Sequence, residues 1–405
     1  MGDTSGAIMP WNKKSEFHQR YAFIQQTRAR GASMAGLCKQ FKISRKTAYK
    51  WLGRYRKKGW RGLQNRPPVA RKLPQKIGVK WRRRVRCLRR RHRSWGPRKL
   101  HHWLKLRHGP RGLPAPATLG RWLRAWGLVG RRRFRRPAGP RVSRSARPPV
   151  GAANDVWTAD FKGWFRLGDG TRVEPLTVRD GFSRYTLTVH LLRQQNVAAT
   201  LPVFRRLFGR YGRPRAIRVD NGSPFGSKGP RGWTRLSAWW IKQGITVEFI
   251  RPGHPEDNAG HEQFHRVLKA ETARPPTHTW RGQQRRTQRW VREYNEQRPH
   301  EALGMKVPAQ RYRPSRRPWA ERRPLLRYPQ SWETRQVKTN GEISWRGQTR
   351  FIAESLAGEK IGLQKLRSGK WRVYFGPWLM GELRAHERSG MRPAVYGTKR
   401  TRAKV

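Results

Sequence analysis

The chain has 405 residues, with 93 Lys and Arg against 23 Asp and Glu, and a formal charge of +70; such a charge repels itself in a compact state until a polyanion neutralises it. Duplex DNA, with one negative charge about every 1.7 Å of axis, is the natural counterpart, although a ribosomal or chromatin-type packing protein has the same composition. Two cysteines, Cys38 and Cys87, exclude a disulfide scaffold and a four-cysteine zinc site, and no apolar run approaches the roughly 20 residues of a membrane helix.

The start lacks a signal-peptide pattern, so the expected location is the cytoplasm, on the nucleoid, with no membrane partner. Hydrophobic residues make up only 35% of the chain, a share that with this charge also describes disordered chains. Twenty Trp, 14 Phe and 10 Tyr supply the apolar mass that packed cores need.

Residues 15–62 alternate helical patterns with short breaks. Phe17, Tyr21 and Ile24 recur at i, i+4 and i+7 and so share a helix face, which Gly31 ends. Ser33 caps a second helix with Met34, Leu37 and Phe41 inward. Ser44 caps a third, with Ala48, Trp51, Leu52 and Tyr55 inward and Arg45, Lys46, Thr47 and Lys50 outward. This is the layout of a helix-turn-helix, expected over residues 10–65, whose second motif helix enters the major groove. A plain three-helix bundle with a solvated basic face fits the same pattern.

Pro67, Pro68 and Pro74 mark a linker. Over 75–130, stripes at Trp81, Val85, Leu88, at Leu100, Trp103, Leu104 and at Leu119, Trp122, Leu123, Trp126 read as a second helix-turn-helix or as a basic helical spacer. Residues 131–150 are an Arg- and Pro-rich basic linker without periodicity.

From 155 the signal turns to strands. Asp155–Phe161, Val173–Val178 and Tyr185–Leu191 alternate by two, with a turn at Asp180-Gly181-Phe182-Ser183. Asn196 caps a helix through Tyr211, Arg215–Asp220 is a fourth strand, Trp233–Gln243 a helix, Thr246–Ile250 a fifth strand, and Ala259–Glu271 and 280–297 are helices. This predicts an α/β core over 151–312 with a mixed five-stranded sheet. After a Pro- and Arg-rich connector at 313–329, short strands at Ile343–Trp345, Phe351–Ala353, Ile361–Leu366 and Trp371–Phe375 predict a small β-barrel or sandwich over 330–386.

Acids are scarce, so their placement is informative. Asp160 lies in the strand that opens the α/β domain, Asp220 closes a later strand, and Glu262 lies near the start of a helix. Strand ends and helix starts converge at one edge of such sheets. Three carboxylates there suit Mg²⁺ or Mn²⁺, hard ions that take a few carboxylates and keep waters and substrate phosphate. Two such ions can activate an attacking oxygen and stabilise a leaving one.

Helical spacing puts Arg266 and Lys269 on the face of Glu262, where they are candidates to hold DNA or are ordinary surface cations. Pro252–Gly260 reads as a mobile loop that also carries the rival acids Glu256 and Asp257. Asp180 and Asp155 have backbone-turn roles. Trp157 and Trp164 read as core or hinge packing. His254, His261 and His265 read as DNA or supporting contacts of a flexible loop rather than as a zinc site.

The strings Trp157-Thr158-Ala159-Asp160-Phe161-Lys162-Gly163, Val219-Asp220-Asn221-Gly222-Ser223-Pro224-Phe225 and Arg251–Glu271, behind Ile43–Trp51, resemble the DDE-type transposases of bacterial insertion sequences over nearly the whole chain. The resemblance implies a ribonuclease H-like catalytic core and a triad, by motif Asp160, Asp220 and Glu262, that binds two divalent ions. It also implies strand cleavage and strand transfer on double-stranded DNA, at terminal inverted repeats and at a target, by a homo-oligomer assembled on DNA. Glu262 follows Asp220 by 42 positions, longer than in retroviral relatives, and the extra residues are expected around Ser227–Trp233. Asn258-Ala259-Gly260 departs slightly from the family's glycine arrangement. The stretch Tyr294-Asn295-Arg298-Pro299-His300 resembles the family segment after the core and reads as structural or DNA-contacting. A DNA-binding regulator or architectural protein with an inactive core is the alternative from another class, and a nuclease that cuts without joining is a third.

Overall fold

The computed structural model describes residues 16–65, 78–129, 150–251, 259–320, 326–387 and 390–394. The chain divides into two compact units, Met1–Lys76 and Ile77–Val405. The expectations for the Pro252–Ala259 stretch of the loop, with His254, Glu256 and Asp257, and for the linkers at 66–74 and 131–149 fall outside the residues whose side chains are described.

In the first unit, α1 (Glu16–Gln26), α2 (Met34–Gln40) and α3 (Arg45–Lys58) enclose Phe23, Ile24, Cys38, Ile43, Ala48, Trp51 and Leu63. Both expected caps form: Ser33 Oγ accepts from the Gly36 amide at 3.5 Å and Ser44 Oγ from the Thr47 amide at 3.2 Å. Each satisfies a helix-start donor that has no partner within its helix, the Ser44 cap for about 1 kcal/mol. The Arg20 guanidinium is buried, donates to Leu63 O at 2.9 Å and Asn65 Oδ1 at 2.7 Å, and lies 4.0 Å over the Trp51 ring. Two details differ from expectation. α1 stops at Gln26, with Gly31 in the following turn at φ +82°. Tyr21 is 39% exposed, its ring stacked on Phe17 at the rim, while Phe23 takes the core position.

In the second unit, α4 (Val79–Arg91), α5 (Pro97–His108) and α6 (Pro116–Ala125) pack Trp81, Val85, Leu88, Trp95, Leu100, Leu104, Leu119 and Leu123 into one core. Pro97 and Pro116 open their helices, where the missing amide costs nothing. Polar contacts tie this bundle to the α/β domain of the same unit. His92 Nδ1 lies 2.8 Å from Glu293 Oε1, the Ser94 amide donates to Glu271 Oε1 at 3.2 Å, and Arg298 donates to Ser94 Oγ at 2.7 Å.

The α/β domain runs β1 (Val156–Phe161), β2 (Phe165–Arg166), β3 (Arg172–Asp180), β4 (Thr186–Leu192), α7 (Val197–Tyr211), β5 (Ala216–Val219), α8 (Arg235–Lys242), β6 (Thr246–Phe249), α9 (Ala259–Thr272), α10 (Trp280–Glu296) and α11 (Pro308–Arg311). The main sheet is β4-β3-β1-β5-β6, antiparallel across β4, β3 and β1 and parallel across β1, β5 and β6, with β2 extending β3. The mixed character is as expected, but the sheet has six strands where five were expected, because β2 adds to β3. Strand alternation separates its two sides. Trp157 and Ala159 of β1 join Phe204 and Phe208 of α7 and Leu236 and Trp240 of α8 in the main core. Val189 of β4 packs with Phe264, Leu268 and Tyr294 of α9 and α10 in a smaller cluster on the opposite side.

After Pro329 come β7 (Glu333–Gln336), β8 (Glu342–Trp345), β9 (Gln348–Phe351), β10 (Lys360–Lys365), β11 (Lys370–Phe375), β12 (Trp378–Arg384) and β13 (Arg392–Pro393). They form an antiparallel sheet, β13-β12-β11-β10-β7, and a separate hairpin of β8 and β9. The expected small β-barrel is corrected: among the described residues the sheet does not close, and β7 and β13 are its edges. Closure is not needed to bury its apolar face. Ile343 and Trp345 of the hairpin and Trp233, Ala238 and Ile241 of the α/β domain share its core with Ile361, Val373 and Met380. The expected extra residues at Ser227–Trp233 form a short loop closed by a Gly226–Trp233 bridge, and Arg231 Nε donates to Leu379 O of β12 at 2.7 Å. Among the described residues no helix is long and apolar enough to cross a membrane.

Candidate active site

The sheet places two of the three expected acids on neighbouring strands, and neither Asp220 nor Glu262 falls in the cluster of possible ligands around Asp160 among the described residues. β1 and β5 run parallel in the register Val156–Ala216, Trp157–Ile217, Thr158–Arg218. Carried two residues on, that register sets Asp160 alongside Asp220, the residue after β5. Neighbouring strands lie about 4.8 Å apart and residues in step point to the same face, so both carboxylates belong to the C-terminal edge of the parallel strands. Asp160 has a side-chain exposure of 15% and Asp220 is half-buried. Burial pushes the Asp220 carboxyl above its ordinary range, opposed by the Gly222 amide, which donates to Oδ1 at 3.3 Å.

α9 crosses the face that carries Thr158 and Asp160. Its buried residues are His261, Phe264, His265, Leu268 and Thr272, and its exposed flank holds Glu262, Arg266 and Lys269. Glu262 thus sits in the first turn of a helix laid over Asp160, with its carboxylate in the open. That flank is electrostatically continuous with β1. Burial lowers the Lys162 pKa, the Lys269 charge lowers it further, and Asp160 opposes both.

Beneath α9 lies a set of contacts that the sequence pattern did not disclose. Thr177 of β3 donates from Oγ1 to Asp160 O at 2.9 Å. The same oxygen lies 2.8 Å from His265 Nε2 and 3.3 Å from His261 Nδ1, and His261 Nε2 lies 2.6 Å from Thr158 Oγ1. His265 Nδ1 is 3.8 Å from Asp160 Oδ2. One donor atom each from Asp160, His261 and His265 fall within 4.8 Å of one another. Burial first, then the Lys162 and Arg179 charges, pushes His265 down to about 3, and burial holds His261 well below its ordinary value. The reading of His261 and His265 as contacts of a flexible loop is therefore corrected: both lie on the buried face of α9. Their i, i+4 spacing around Phe264 was the available signal. Arg179, buried in the same layer, donates to Gly260 O at 2.9 Å and lies 4.3 Å over the Phe264 ring, which anchors the first turn of α9.

Trp157 is fully buried as expected, but Trp164 is 53% exposed, with the Arg172 guanidinium 4.8 Å over its ring. Gly163 precedes it at φ +78°, a left-handed turn that carries the chain out of the core. Asp155 accepts from the Ala152 amide at 2.8 Å, and Asp180 accepts from the Asn154 and Ser183 amides at 2.7 Å each; both are turn-forming. Asn295 bonds the amide and carbonyl of Thr186 at 2.9 Å each, and Tyr294, Arg298 and His300 are buried, so that stretch is structural. On α3, Arg45, Lys46 and Lys50 are exposed and Thr47 is half-buried, its hydroxyl 3.0 Å from Ser44 Oγ.

The sequence matches agree with this architecture. An integrase core domain family matches residues 151–255, and a second integrase core domain family matches residues 243–308. A helix-turn-helix domain family matches 19–72, and a homeodomain-like domain family matches 47–123. The uncharacterized 31.7 kDa protein of insertion element IS407 from Burkholderia multivorans is 32% identical over 222 residues, which cover 54% of this chain and 75% of that protein. The uncharacterized 39.2 kDa protein of insertion element IS476 from Xanthomonas euvesicatoria is 32% identical over 181 residues, covering 44% and 49%. Among solved structures, the HTLV-2 integrase catalytic core domain in complex with magnesium is similar at 17% identity and TM-score 0.31, covering 40% of this chain and 98% of that one. A chain of the simian T-cell lymphotropic virus intasome is similar at 16% identity and TM-score 0.36, covering 75% and 100%. With the sequence matches carrying the assignment, the chain belongs to the bacterial insertion-element transposases that place an integrase core behind helix-turn-helix units.

Proposed function

We propose that Asp160, Asp220 and Glu262 hold two divalent ions, Mg²⁺ or Mn²⁺, and that the protein cuts and rejoins DNA strands at the terminal inverted repeats of its element. The observation that supports this reading is the parallel pairing of β1 with β5 up to Thr158 and Arg218, which, continued by two residues, would set Asp160 beside Asp220. The donor set fits such ions: partly open carboxylates are the hard oxygen ligands that Mg²⁺ and Mn²⁺ take. Ions held there supply Lewis-acid activation of the attacking oxygen and stabilisation of the leaving one. The chain's own groups do the rest. Thr177 holds the Asp160 backbone, Arg179 anchors the first turn of α9 beside Glu262, and Lys162, Arg266 and Lys269 attract the phosphates of the scissile strand. No side chain forms a covalent link to DNA in this scheme.

Domain limits in this scheme are 10–65 and 75–130 for end binding, 131–150 for the linker, 151–312 for catalysis and 330–386 for the C-terminal sheet. The working form is a homo-oligomer on double-stranded DNA in the nucleoid, engaging element ends and target. Purified protein with a duplex bearing an element end and Mn²⁺ should yield nicked and joined strands, and a chelator should abolish both. Cleavage without joining would make it a nuclease, and binding without products a regulator.

The outward cations of α3 give a separate test. Each of Arg45→Ala, Lys46→Ala and Lys50→Ala that removes a phosphate contact should weaken binding on all sequences and lower the slope of log K against log salt by about 1. A slope unchanged in all three variants would take α3 off the DNA.

A further inference from the structure

We infer that His265 Nδ1 is a ligand of the ion held by Asp160, so that this centre mixes a nitrogen donor with its carboxylates. The inference rests on the reading of Asp160 as an ion ligand and adds a residue that the three-acid scheme omits.

A proton count at Thr177 carries the assignment. Its hydroxyl has one proton and three neighbours: Asp160 O at 2.9 Å, His265 Nε2 at 2.8 Å and His261 Nδ1 at 3.3 Å. A carbonyl oxygen can only accept, so the proton goes to Asp160 O. Both imidazoles must then donate to Thr177 Oγ1. His261 carries its proton on Nδ1, and its Nε2 lies 2.6 Å from Thr158 Oγ1, a hydroxyl that also has Arg179 O at 3.4 Å as an acceptor, so both of its nitrogens have partners. Neutral His265 carries its proton on Nε2, and its Nδ1 is a lone pair.

That lone pair lies 3.8 Å from Asp160 Oδ2. The distance is too long for a hydrogen bond, and a divalent cation between the lone pair and the carboxylate would draw on both as donors. Asp160 and His265 would hold such an ion between them, drawing their donor atoms closer than in its absence. The other ring nitrogen is already oriented as in metal-bound histidines, whose free N–H donates to an oxygen that fixes the tautomer. Thr177 does this for His265 while also holding the Asp160 backbone, so one hydroxyl sets both ligands. His261, buried beside them, supports the arrangement without donating to the ion. An imidazole in the shell shifts preference from Mg²⁺ towards transition-metal ions such as Mn²⁺.

Mn²⁺ bound to the full-length protein reports this directly. Pulsed electron paramagnetic resonance should show ¹⁴N modulation from a coordinated imidazole. The modulation should vanish in His265→Ala and in the bulkier His265→Gln, with Mn²⁺ affinity lower by about tenfold or more, and persist in His261→Gln. Asp160→Asn distinguishes the ion site from its nitrogen ligand. If that variant binds Mn²⁺ as the native protein does, the ion is not at Asp160 and the underlying reading fails. If Asp160→Asn loses the ion but the native spectrum lacks ¹⁴N modulation, or keeps it without His265, the underlying reading stands and the His265 assignment is overturned. If neither His265 variant folds, ¹⁴N modulation that persists in His261→Gln upholds the assignment, and a native spectrum without it, or a signal lost in His261→Gln, overturns it.

Discussion

Asp160→Asn is expected to abolish strand cleavage and joining while DNA binding persists. The substitution is nearly isosteric, and the Asp160 backbone carbonyl keeps its bond from Thr177. What changes is one negative charge at the edge where β1 and β5 end in step. Lewis-acid stabilisation by a bound ion is worth several kcal/mol, so its loss slows the reaction about a thousandfold or more. DNA affinity should hold or rise, because the variant removes an anion from a chain of charge +70 that binds phosphates. A labelled end duplex with Mn²⁺, resolved on a denaturing gel, reads the products, and filter binding reads the affinity. Joining at roughly a tenth of the native rate or faster, a cost of only about 1.4 kcal/mol, would remove Asp160 from the chemistry.

The parts of this site that were legible in the sequence are those written in local pattern. Alternation across Asp155–Phe161 gave β1 and put Asp160 opposite Trp157 in facing, and Asn196 and Ser44 marked helix starts that formed as expected. The pairing of β1 with β5 joins residues 60 apart, and nothing in either segment states its partner. The same limit hid Thr177 and His265, 88 positions apart, whose meeting depends on α9 crossing β3. His261 and His265 were read with the loop before them because polar residues dominate Arg251–Glu262, although Phe264 and Leu268 already marked the helix face they share. Trp164 was misplaced for a different reason. A tryptophan three residues past a buried strand reads as core by hydropathy, and the left-handed turn at Gly163 that exposes it is set by backbone. The barrel expectation fails because β7, β12 and β13 are not among its strands, and it leaves out the role of α8 in covering the sheet.

Trp157→Ala is expected to carry the largest stability cost of any substitution near the site, about 3–5 kcal/mol. The indole is fully buried, 5.8 Å from the Phe208 ring, and its N–H donates to Asn154 Oδ1 at 2.9 Å. Truncation leaves a void between β1 and α7 that close-packed neighbours fill only in part. Trp157→Phe separates packing from polarity. Asn154 Oδ1 keeps a donor in Tyr312 Oη at 3.0 Å, so losing the indole N–H strands no buried acceptor, and Phe should recover most of the loss. Against a typical total stability of about 5–15 kcal/mol, the alanine variant is marginal. Its effect reaches the chemistry because Trp157 is the residue through which β1 grips the core. A strand free to slide no longer holds Asp160 in step with Asp220. Urea unfolding followed by far-ultraviolet circular dichroism measures the cost, and activity at a temperature where the variant stays folded measures the register. A destabilisation under about 0.5 kcal/mol, the size seen for surface changes, would mean that Trp157 does not pin this strand.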